Sequence, residues 1–382
     1  MIIAIIGNGA QSLLLFRASL IRNLVERGHT VLAYAPDYTP GSMADVADLG
    51  ARAIRYPLSR AGTNPISEAR TTAALYRSLR HERPDVVLCY FIKPAIYGSI
   101  AAILARVPRR IVLLEGLGYG FAPERGASPR HRAVGLAMRS LLRLSLRGAD
   151  QVIVLNAEDL AAVRGIGVPV ARSRNMGGIG VELDRYEVPP VRAQSVSFAL
   201  AARLIREKGV VEFVSAARRV KELHPEATFY ILGDVDENPG SLQAAELSEW
   251  VDEQLIVWPG RVSDVQHWLR KCDVFVLPSF YREGVPRSIQ EAMALGRAII
   301  TTDHVGCRDT VDHGINGFLV PPRDVEALTQ AMLRFLEEPG LAKRMGTESR
   351  RLAEERFDAR RADQILTSCI EGEGDVTPEA RR

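Results

Sequence analysis

The sequence predicts an α/β protein built from two Rossmann-like, doubly wound domains. Three observations predict it. Strand-like and helix-like segments alternate from end to end. The strands are short, continuous apolar runs, as expected where both faces of a parallel sheet are covered. And the 382 residues suffice for two domains, with the scheme restarting after a Pro-rich link, Glu187-Val188-Pro189-Pro190-Val191.

The elements follow in order. Ile2–Ile6 is an apolar, β-branched run and reads as a buried strand. Ser12–Arg27 has helical periodicity and Gly28 stops it. Thr30–Ala35 and Ala51–Tyr56 are the next strands, followed by a helix over about 66–82. Asp85–Cys89 is a strand, Ile96–Ala105 a helix and Arg110–Leu114 a strand. A long helix fits about 129–147, and Gln151–Leu155 is a further strand. The first domain is placed at about 1–185. The second half restarts with the strand Ser197–Ala201, the helix Val210–Leu223 and the strand Thr228–Leu232. Ile256–Trp258, Val274–Leu277 and Ala298–Thr302 read as further strands, and the second domain is placed at about 192–355. Helices close the chain near 324–337, 340–355 and 358–370, before a polar tail.

Composition sets the outer limits. Hydrophobic residues make up 47% and charged residues 25%, which excludes a disordered or collagen-like chain. The net charge of +3 argues against a dedicated nucleic-acid binder. That total conceals an asymmetry: residues 1–180 hold 23 basic against 12 acidic residues, leaving 26 against 34 for the rest, so +11 faces −8. Cys89, Cys272, Cys307 and Cys369 form no CxxC pair and have no His cluster beside them, so neither a zinc site nor a disulfide framework is expected. Met1–Ile6 has no basic leader and enters a strand directly, so no signal peptide is expected. No apolar stretch reaches the roughly 20 residues a membrane span needs.

In doubly wound sheets, ligands bind outside the carboxyl ends of the strands. The segment Asp273–Asp303 fits that rule. A buried strand ends at Pro278-Ser279, a short loop carries Glu283 and Gly284, and Pro286 suits the first turn of a helix that Gly296 ends. The amides of Gly284 and Val285 fall near the positive end of that helix, and Glu291 about two turns in. Two carboxylates so placed suit sugar hydroxyls, because each accepts two or more hydrogen bonds. Arg203 and Lys208 also follow a strand and precede a helix, and could hold a diphosphate: one with a fixed fork of donors, the other as a mobile point charge.

Glu283 and Glu291 together resemble the E-x7-E motif of retaining, nucleotide-sugar-dependent glycosyltransferases of family 4. Ala202-Arg203-Leu204 with Lys208-Gly209 resembles their R-L-x-x-x-K-G signature, and Gly314–Pro322 their G-x-N-G-F-L-V-P-P segment. Gly177–Tyr186 resembles their interdomain stretch, with Gly178 where Asn is usual. The resemblance covers nearly the whole chain. It implies the GT-B fold, two Rossmann-like domains facing a central cleft, with the terminal helix near 358–370 packing back on the first domain. It also implies that Arg203 and Lys208 hold the donor's diphosphate, Glu291 its ribose and Glu283 the transferred sugar, with Gly284 and Val285 offering amides. No metal is expected, and the nucleotide-sugar, a UDP-sugar, is a co-substrate.

In the first half, Gly7-Asn8-Gly9 opens a helix after a strand. It lacks the third glycine of a dinucleotide fingerprint, and Asp37 lies about 28 residues beyond Gly9 where about 20 is expected. A structural turn is one reading. Under the resemblance, Gly9 lines the cleft near the donor phosphates. Glu115 ends a buried strand before Gly116 and the glycines that follow, at a position where relatives carry His or another polar residue. It could orient the acceptor hydroxyl, or simply be satisfied by loop amides. Lys93 follows a strand and is placed to reach an acceptor phosphate.

Ser128–Arg147 contains no acidic residue, and Arg132, Arg139, Arg143 and Arg147 share one helical stripe. A basic amphipathic helix can lie on an anionic bilayer. Within the family, the resemblance is to the capsule, O-antigen and lipid-linked-oligosaccharide branch. It implies transfer of a hexose or N-acetylhexosamine to a polyprenyl-diphosphate-linked sugar, by a cytoplasmic enzyme peripheral to the inner face of the plasma membrane. The rival expectations are an epimerase of the UDP-sugar 2-epimerase type, a non-catalytic nucleotide-sugar-binding partner, and an NAD-binding protein.

Overall fold

The computed structural model describes residues 1–59, 64–117, 129–189, 196–235 and 240–373. Its contacts divide into two compact units, one of Met1–Ile179 together with the segment from Ala359 onward, the other of Gly180–Asp358.

The first unit runs β1 (Ile2–Ile6), α1 (Ala10–Glu26), β2 (Thr30–Ala35), α2 (Pro40–Asp48), β3 (Arg52–Arg55), α3 (Pro65–Glu82), β4 (Val86–Tyr90), α4 (Ser99–Leu104), β5 (Arg109–Leu114), α5 (Pro129–Arg147), β6 (Gln151–Val154), α6 (Ala157–Gly165) and β7 (Ser173–Asn175). All seven strands are parallel, in the order β3-β2-β1-β4-β5-β6-β7. The chain winds outward from β1 in one direction, then returns to β4 and winds outward in the other. The reversal lies between β1 and β4, where Ile3 pairs with both Val31 and Val86. Ile6, Leu32, Val87 and Cys89 bury against Leu75 and Leu79 of α3. Val112, Leu114 and Val154 bury against Leu142 and Leu146 of α5.

Two helices of this unit escape a reading by periodicity. In α2, Thr39 caps the first turn through Ser42, but Thr39-Pro40-Gly41 reads as a turn. In α6, Asn156 caps through the Asp159 amide, and only Asp159 and Val163 are buried. The single helix expected over 96–105 is instead a π turn, Pro94–Gly98, running into α4. Pro94 has no amide to donate, and the ladder opens wide before it settles.

The second unit runs β8 (Ser197–Ala201), α7 (Val210–Leu223), β9 (Thr228–Leu232), α8 (Ala244–Asp252), α9 (Val265–Leu269), β10 (Val274–Leu277), α10 (Arg287–Ala294), β11 (Ala298–Thr302), β12 (Gly317–Val320), α11 (Val325–Glu337) and α12 (Leu341–Arg356). Its parallel sheet has the order β12-β11-β10-β8-β9, so the reversal lies between β8 and β10. Phe198, Phe213 and Phe229 form an aromatic cluster under α7, with the rings of Phe198 and Phe229 stacked at 5.1 Å. The expected strand Ile256–Trp258 is only a single bridge between Val257 and Tyr230. Pro286 stands one place before α10 as its N-cap, so Glu291 is one turn into the helix, not two.

The expected boundary near 185–192 shifts to 179/180. Gly180 N–H donates to Gln290 Oε1 at 2.9 Å, Val181 N–H to the Phe357 carbonyl at 2.9 Å, and Arg350 Nη1 to the Tyr186 carbonyl at 2.6 Å. These bonds tie 180–186 to the second unit. Pro190 and Val191 of the link lie outside the described residues. The last helix, α13 (Ala359–Glu371), packs on α1, and the Glu371 carboxylate accepts from Arg27 Nη1 and His29 Nε2, both at 3.0 Å.

Candidate active site

In the second unit, the loops after β8 and β10 flank the point where strand order reverses, the place where open α/β sheets bind ligands. Gly209 has φ +76°, and a Cβ there would stand 2.2 Å from the Pro278 carbonyl oxygen. Only glycine permits both the turn and this approach. The Glu207 carbonyl, two residues earlier, accepts from the amides of Phe280 and Tyr281 at 2.9 and 3.1 Å. The two loops are thereby stitched together, and the stitch sets Lys208 against Glu283.

Lys208 Nζ forms an ion pair with Glu283 Oε1, to which Ser279 Oγ also donates at 3.0 Å. The Glu283 side chain is 11% exposed and that of Lys208 12%, so their attraction is weakly screened. The ammonium also stands 5.5 Å from the Tyr281 ring centre. Arg203 is exposed and bonds the Tyr281 side chain. Burial raises the Tyr281 pKa, which keeps the phenol protonated. Gly284 and Val285 are buried and lead directly into α10.

Glu291 belongs to a second cluster. Its Oε1 accepts from Arg287 Nε at 2.9 Å and from the Tyr186 hydroxyl at 3.2 Å. Burial, and then the Glu291 charge, raise the Tyr186 pKa, so this hydroxyl stays a donor. One carboxylate oxygen is thus held in place by two partners, while such a group has acceptor sites for about four.

The first unit gathers its groups at the carboxyl ends of β1, β4 and β5. Gly9 is the extended N-cap of α1, and the next amide, Ala10, donates to Asp37 Oδ1 at 2.7 Å. Asp37 therefore lies against the turn where a dinucleotide's pyrophosphate would rest, and its charge opposes a phosphate there. This counts against the NAD reading and equally against a donor phosphate at Gly9. Glu115 is satisfied neither by loop amides alone nor by solvent: it forms an ion pair with Arg17 of α1, with side-chain exposures of 6% and 2%. The Arg17 guanidinium lies over the Tyr90 ring, 4.8 Å from its centre. Gly116 follows with φ +119°. Lys93 is half-buried, donating to Glu68 Oε1 at 2.6 Å and to the Ser59 carbonyl at 2.5 Å. Gly118–Phe121 lie outside the described residues.

Arg17, Glu68, Ser279, Tyr186 and Arg287 are the partners that sequence reasoning missed. Arg17 carried a signal: it shares the buried stripe of α1 with Leu13, Leu20 and Leu24, and an Arg on an apolar stripe calls for a buried anion. Arg287 stands four residues before Glu291, the spacing of a helical ion pair. Nothing local marks Tyr186. Among the described residues, no group of three or more His, Cys, Asp or Glu could hold a metal ion. The four cysteines are all buried and none forms a disulfide.

Comparison with known proteins gives these clusters a setting. Residues 16–175 match the family model for the glycosyl transferase 4-like domain, and residues 196–338 that for glycosyl transferases group 1. An N,N'-diacetylbacillosaminyl-diphospho-undecaprenol α-1,3-N-acetylgalactosaminyltransferase of Campylobacter jejuni is 29% identical over 354 residues, 89% of this chain and 90% of its own. A UDP-Gal:α-D-GlcNAc-diphosphoundecaprenol α-1,3-galactosyltransferase of Escherichia coli is 26% identical over 312 residues, 78% of each. Among solved structures, Anabaena HepE in complex with UDP and glucose superposes with a TM-score of 0.75 at 18% identity, over 97% of this chain and 100% of that one. The sucrose-phosphate synthase of Thermosynechococcus elongatus gives 0.77 at 19% identity, over 97% of this chain and 98% of that one. These likenesses show the fold.

The buried Arg17–Glu115 pair makes a direct prediction. Arg17→Met leaves a carboxylate buried without its cation and should cost about 3–5 kcal/mol of stability. Arg17→Met combined with Glu115→Gln should recover most of that. Thermal and urea unfolding of the three proteins measure it, and equal losses in single and double variants would show the pair to be uncoupled.

Proposed function

We propose that this chain, which belongs to the glycosyltransferases pairing a 4-like domain with a group 1 domain, moves a hexose or N-acetylhexosamine from a UDP-sugar to a polyprenyl-diphosphate-linked sugar. The observation that carries the reading is the Lys208–Glu283 pair at the strand reversal of the group 1 domain, with Arg203 beside it. The names of the relatives from Campylobacter and Escherichia coli supply the acceptor class. The UDP and glucose held by the structural relative HepE agree with the donor class.

The chemistry follows from the residues. The bond between the sugar's C1 and the phosphate oxygen breaks, and the electron pair leaves with the nucleoside diphosphate. The acceptor oxygen bonds to C1, and its proton passes to an oxygen of the departing phosphate on the same face, so the configuration is retained. Negative charge grows on the diphosphate as the bond lengthens. Lys208 has three N–H donors and can hold Glu283 and a phosphate oxygen at once. Arg203, exposed at the loop edge, offers a fork to the same diphosphate. Such fixed charges stabilise the leaving group without reorganising. Glu283 orients hydroxyls of the transferred sugar, and Glu291, steadied by Arg287 and Tyr186, uses its remaining acceptor sites for the ribose. Glu115 and Gly116 line the acceptor end. Lys93 serves an acceptor phosphate by sharing its ammonium with Glu68.

The acceptor's lipid tail places the reaction at a membrane. No described helix is long and apolar enough to cross one. In α5, Arg139, Arg143 and Arg147 are exposed, and so are Leu136 (62%) and Leu144 (59%). Exposed arginines interleaved with exposed leucines suit the headgroup layer of an anionic bilayer. The Arg132 side chain lies outside the described residues. We assign the enzyme to the inner face of the plasma membrane.

A donor screen with a polyprenyl-diphosphate-sugar acceptor tests the reading. Lys208→Ala and Glu291→Ala should each lower transfer by at least a hundredfold, about 2.7 kcal/mol or more in the barrier, while remaining folded by circular dichroism. Unchanged transfer in both sinks the assignment, and turnover of UDP-sugar without any acceptor would favour an epimerase. For the membrane contact, co-sedimentation with anionic liposomes should weaken with added salt and with Arg139→Glu/Arg143→Glu. Binding that is indifferent to both would remove it.

A further inference from the structure

The fold shows where the positive surplus of residues 1–180 goes. The helices of the first unit form two layers, one on each face of the sheet. Leu75 and Leu79 of α3 and Ala101 and Ala102 of α4 pack with Val87 and Cys89. Leu142 and Leu146 of α5 and Val163 of α6 pack with Val112 and Val154. Cys89 lies in register with Val112, and Val112 with Val152, so all these strand residues share one face. The chain reverses its winding at β4, and right-handed crossovers then put α1 and α2 on the other face, where α13 packs on α1.

The two layers differ in charge. Along one stripe, α3 turns Ile66, Arg70, Ala73, Arg77 and Arg80 to solvent. To these α5 adds its three exposed arginines, and α6 adds Arg164. Among the described residues of α3 to α6, no carboxylate is exposed: Glu68 and Asp159 are buried, Glu82 and Glu158 half-buried. The opposite layer is balanced, with Glu26, Asp45 and Asp48 exposed against Arg27, Arg360 and Arg361. The basic layer also exposes aliphatic side chains between its charges. Ile66 is 66% exposed and Leu104, at the end of α4, 59%, in addition to Leu136 and Leu144. A nucleic acid would take up the arginines through its phosphates and leave these aliphatic groups in water. The boundary between headgroups and acyl chains takes up both.

We propose that the whole layer from α3 to α6, and not α5 alone, is the membrane-contacting surface, so that the sheet of the first unit lies parallel to an anionic bilayer. The proposal rests on the membrane contact assigned above to α5 and deepens it into an orientation. That orientation bears on the acceptor. Lys93 bonds Glu68 in the first turn of α3 and so stands at the rim of this layer. A diphosphate carried on a lipid lies at headgroup level, and a layer lying flat brings Lys93 to that level.

The test uses the full chain and vesicles of phosphatidylcholine, with and without phosphatidylglycerol. Arg70→Glu/Arg77→Glu on α3 should weaken binding to the anionic vesicles by at least about tenfold. Arg360→Glu/Arg361→Glu, the same change of charge on the opposite layer, should stay within about twofold, because salt screens charges more than a Debye length away. The native cysteines are buried, so one exposed cysteine can carry an environment-sensitive fluorophore. At Ile66→Cys and at Leu104→Cys its emission should shift to the blue when anionic vesicles are added. At Met43→Cys, exposed on α2, it should not. The fluorophore needs no charge reversal, and it decides the matter even where a reversed variant fails to fold. Equal losses in the two reversed variants would reduce the effect to net charge and overturn the proposal. A response confined to Arg139→Glu/Arg143→Glu would overturn it and leave the α5 contact standing. Tight binding of RNA without a blue shift on vesicles would make the layer a nucleic-acid surface instead. A wild type indifferent to anionic vesicles would overturn the α5 contact as well, while sugar transfer to a detergent-dispersed acceptor would still be judged on Lys208 and Glu291.

Discussion

The candidate site of the second unit depends on one backbone carbonyl, that of Glu207. It accepts from two amides of the loop after β10, and so binds that loop to the one after β8. A carbonyl has two lone pairs, and two amide donors occupy both, which fixes its direction. Gly209 makes the approach possible by having no Cβ to strike Pro278. From this contact the rest follows in sequence. Lys208 is held against Glu283, Ser279 is aligned to the same carboxylate, and Tyr281 is laid beside the ammonium. Gly306 then presses the next loop onto the Glu283 segment. Three loops from three strands become one surface with little freedom of its own.

A second regularity runs through both units. Lys208 faces Glu283, Arg287 faces Glu291, Arg17 faces Glu115 and Lys93 faces Glu68. Four of the groups that could act on an anionic, hydroxyl-rich substrate thus have an opposite charge against them. Isolated charges at such depths would be expensive to keep. Paired, they are held in position before a substrate arrives, and a substrate need only share them. The two pairs of the second unit differ from the Arg17–Glu115 pair in exposure: 11–19% for the former side chains, 2–6% for the latter. The more open pairs suit direct contact with a ligand, and the sealed one suits holding the strand end that carries Gly116.

Much of this was legible in the sequence, for a physical reason. Buried parallel strands have to be apolar on both faces, so β1, β4, β8, β10 and β11 declare themselves as continuous runs. The glycines and charges after them mark where the sheet opens to a ligand. Position after strands, together with the resemblance to the family 4 motifs, brought Glu283, Glu291, Arg203 and Lys208 forward. What stayed hidden is what depends on partners distant in sequence. Arg17 and Glu115 are 98 residues apart, and Tyr186 and Glu291 are 105 apart. The helix α2 was obscured because its best stabilising feature, the Thr39 cap, is built from turn-forming residues. Residues 180–185 read as the end of the first domain, because the bonds that tie 180–186 to Gln290, Phe357 and Arg350 leave no local trace.

The division of the chain has a consequence for its biosynthesis. The first unit is left at Ile179 and is completed only when α13 arrives, after the whole second unit has been made. At roughly 5–20 residues per second, the ribosome spends roughly 10–40 s between those points. Throughout that interval α1 lacks the helix that covers it, and Arg27 and His29 lack Glu371. Compact domains form far faster than this, so the second unit can finish folding while the first still waits for its last piece. A nascent chain released early, short of α13, would carry a finished second unit and an unfinished first one, a natural substrate for chaperones and proteases.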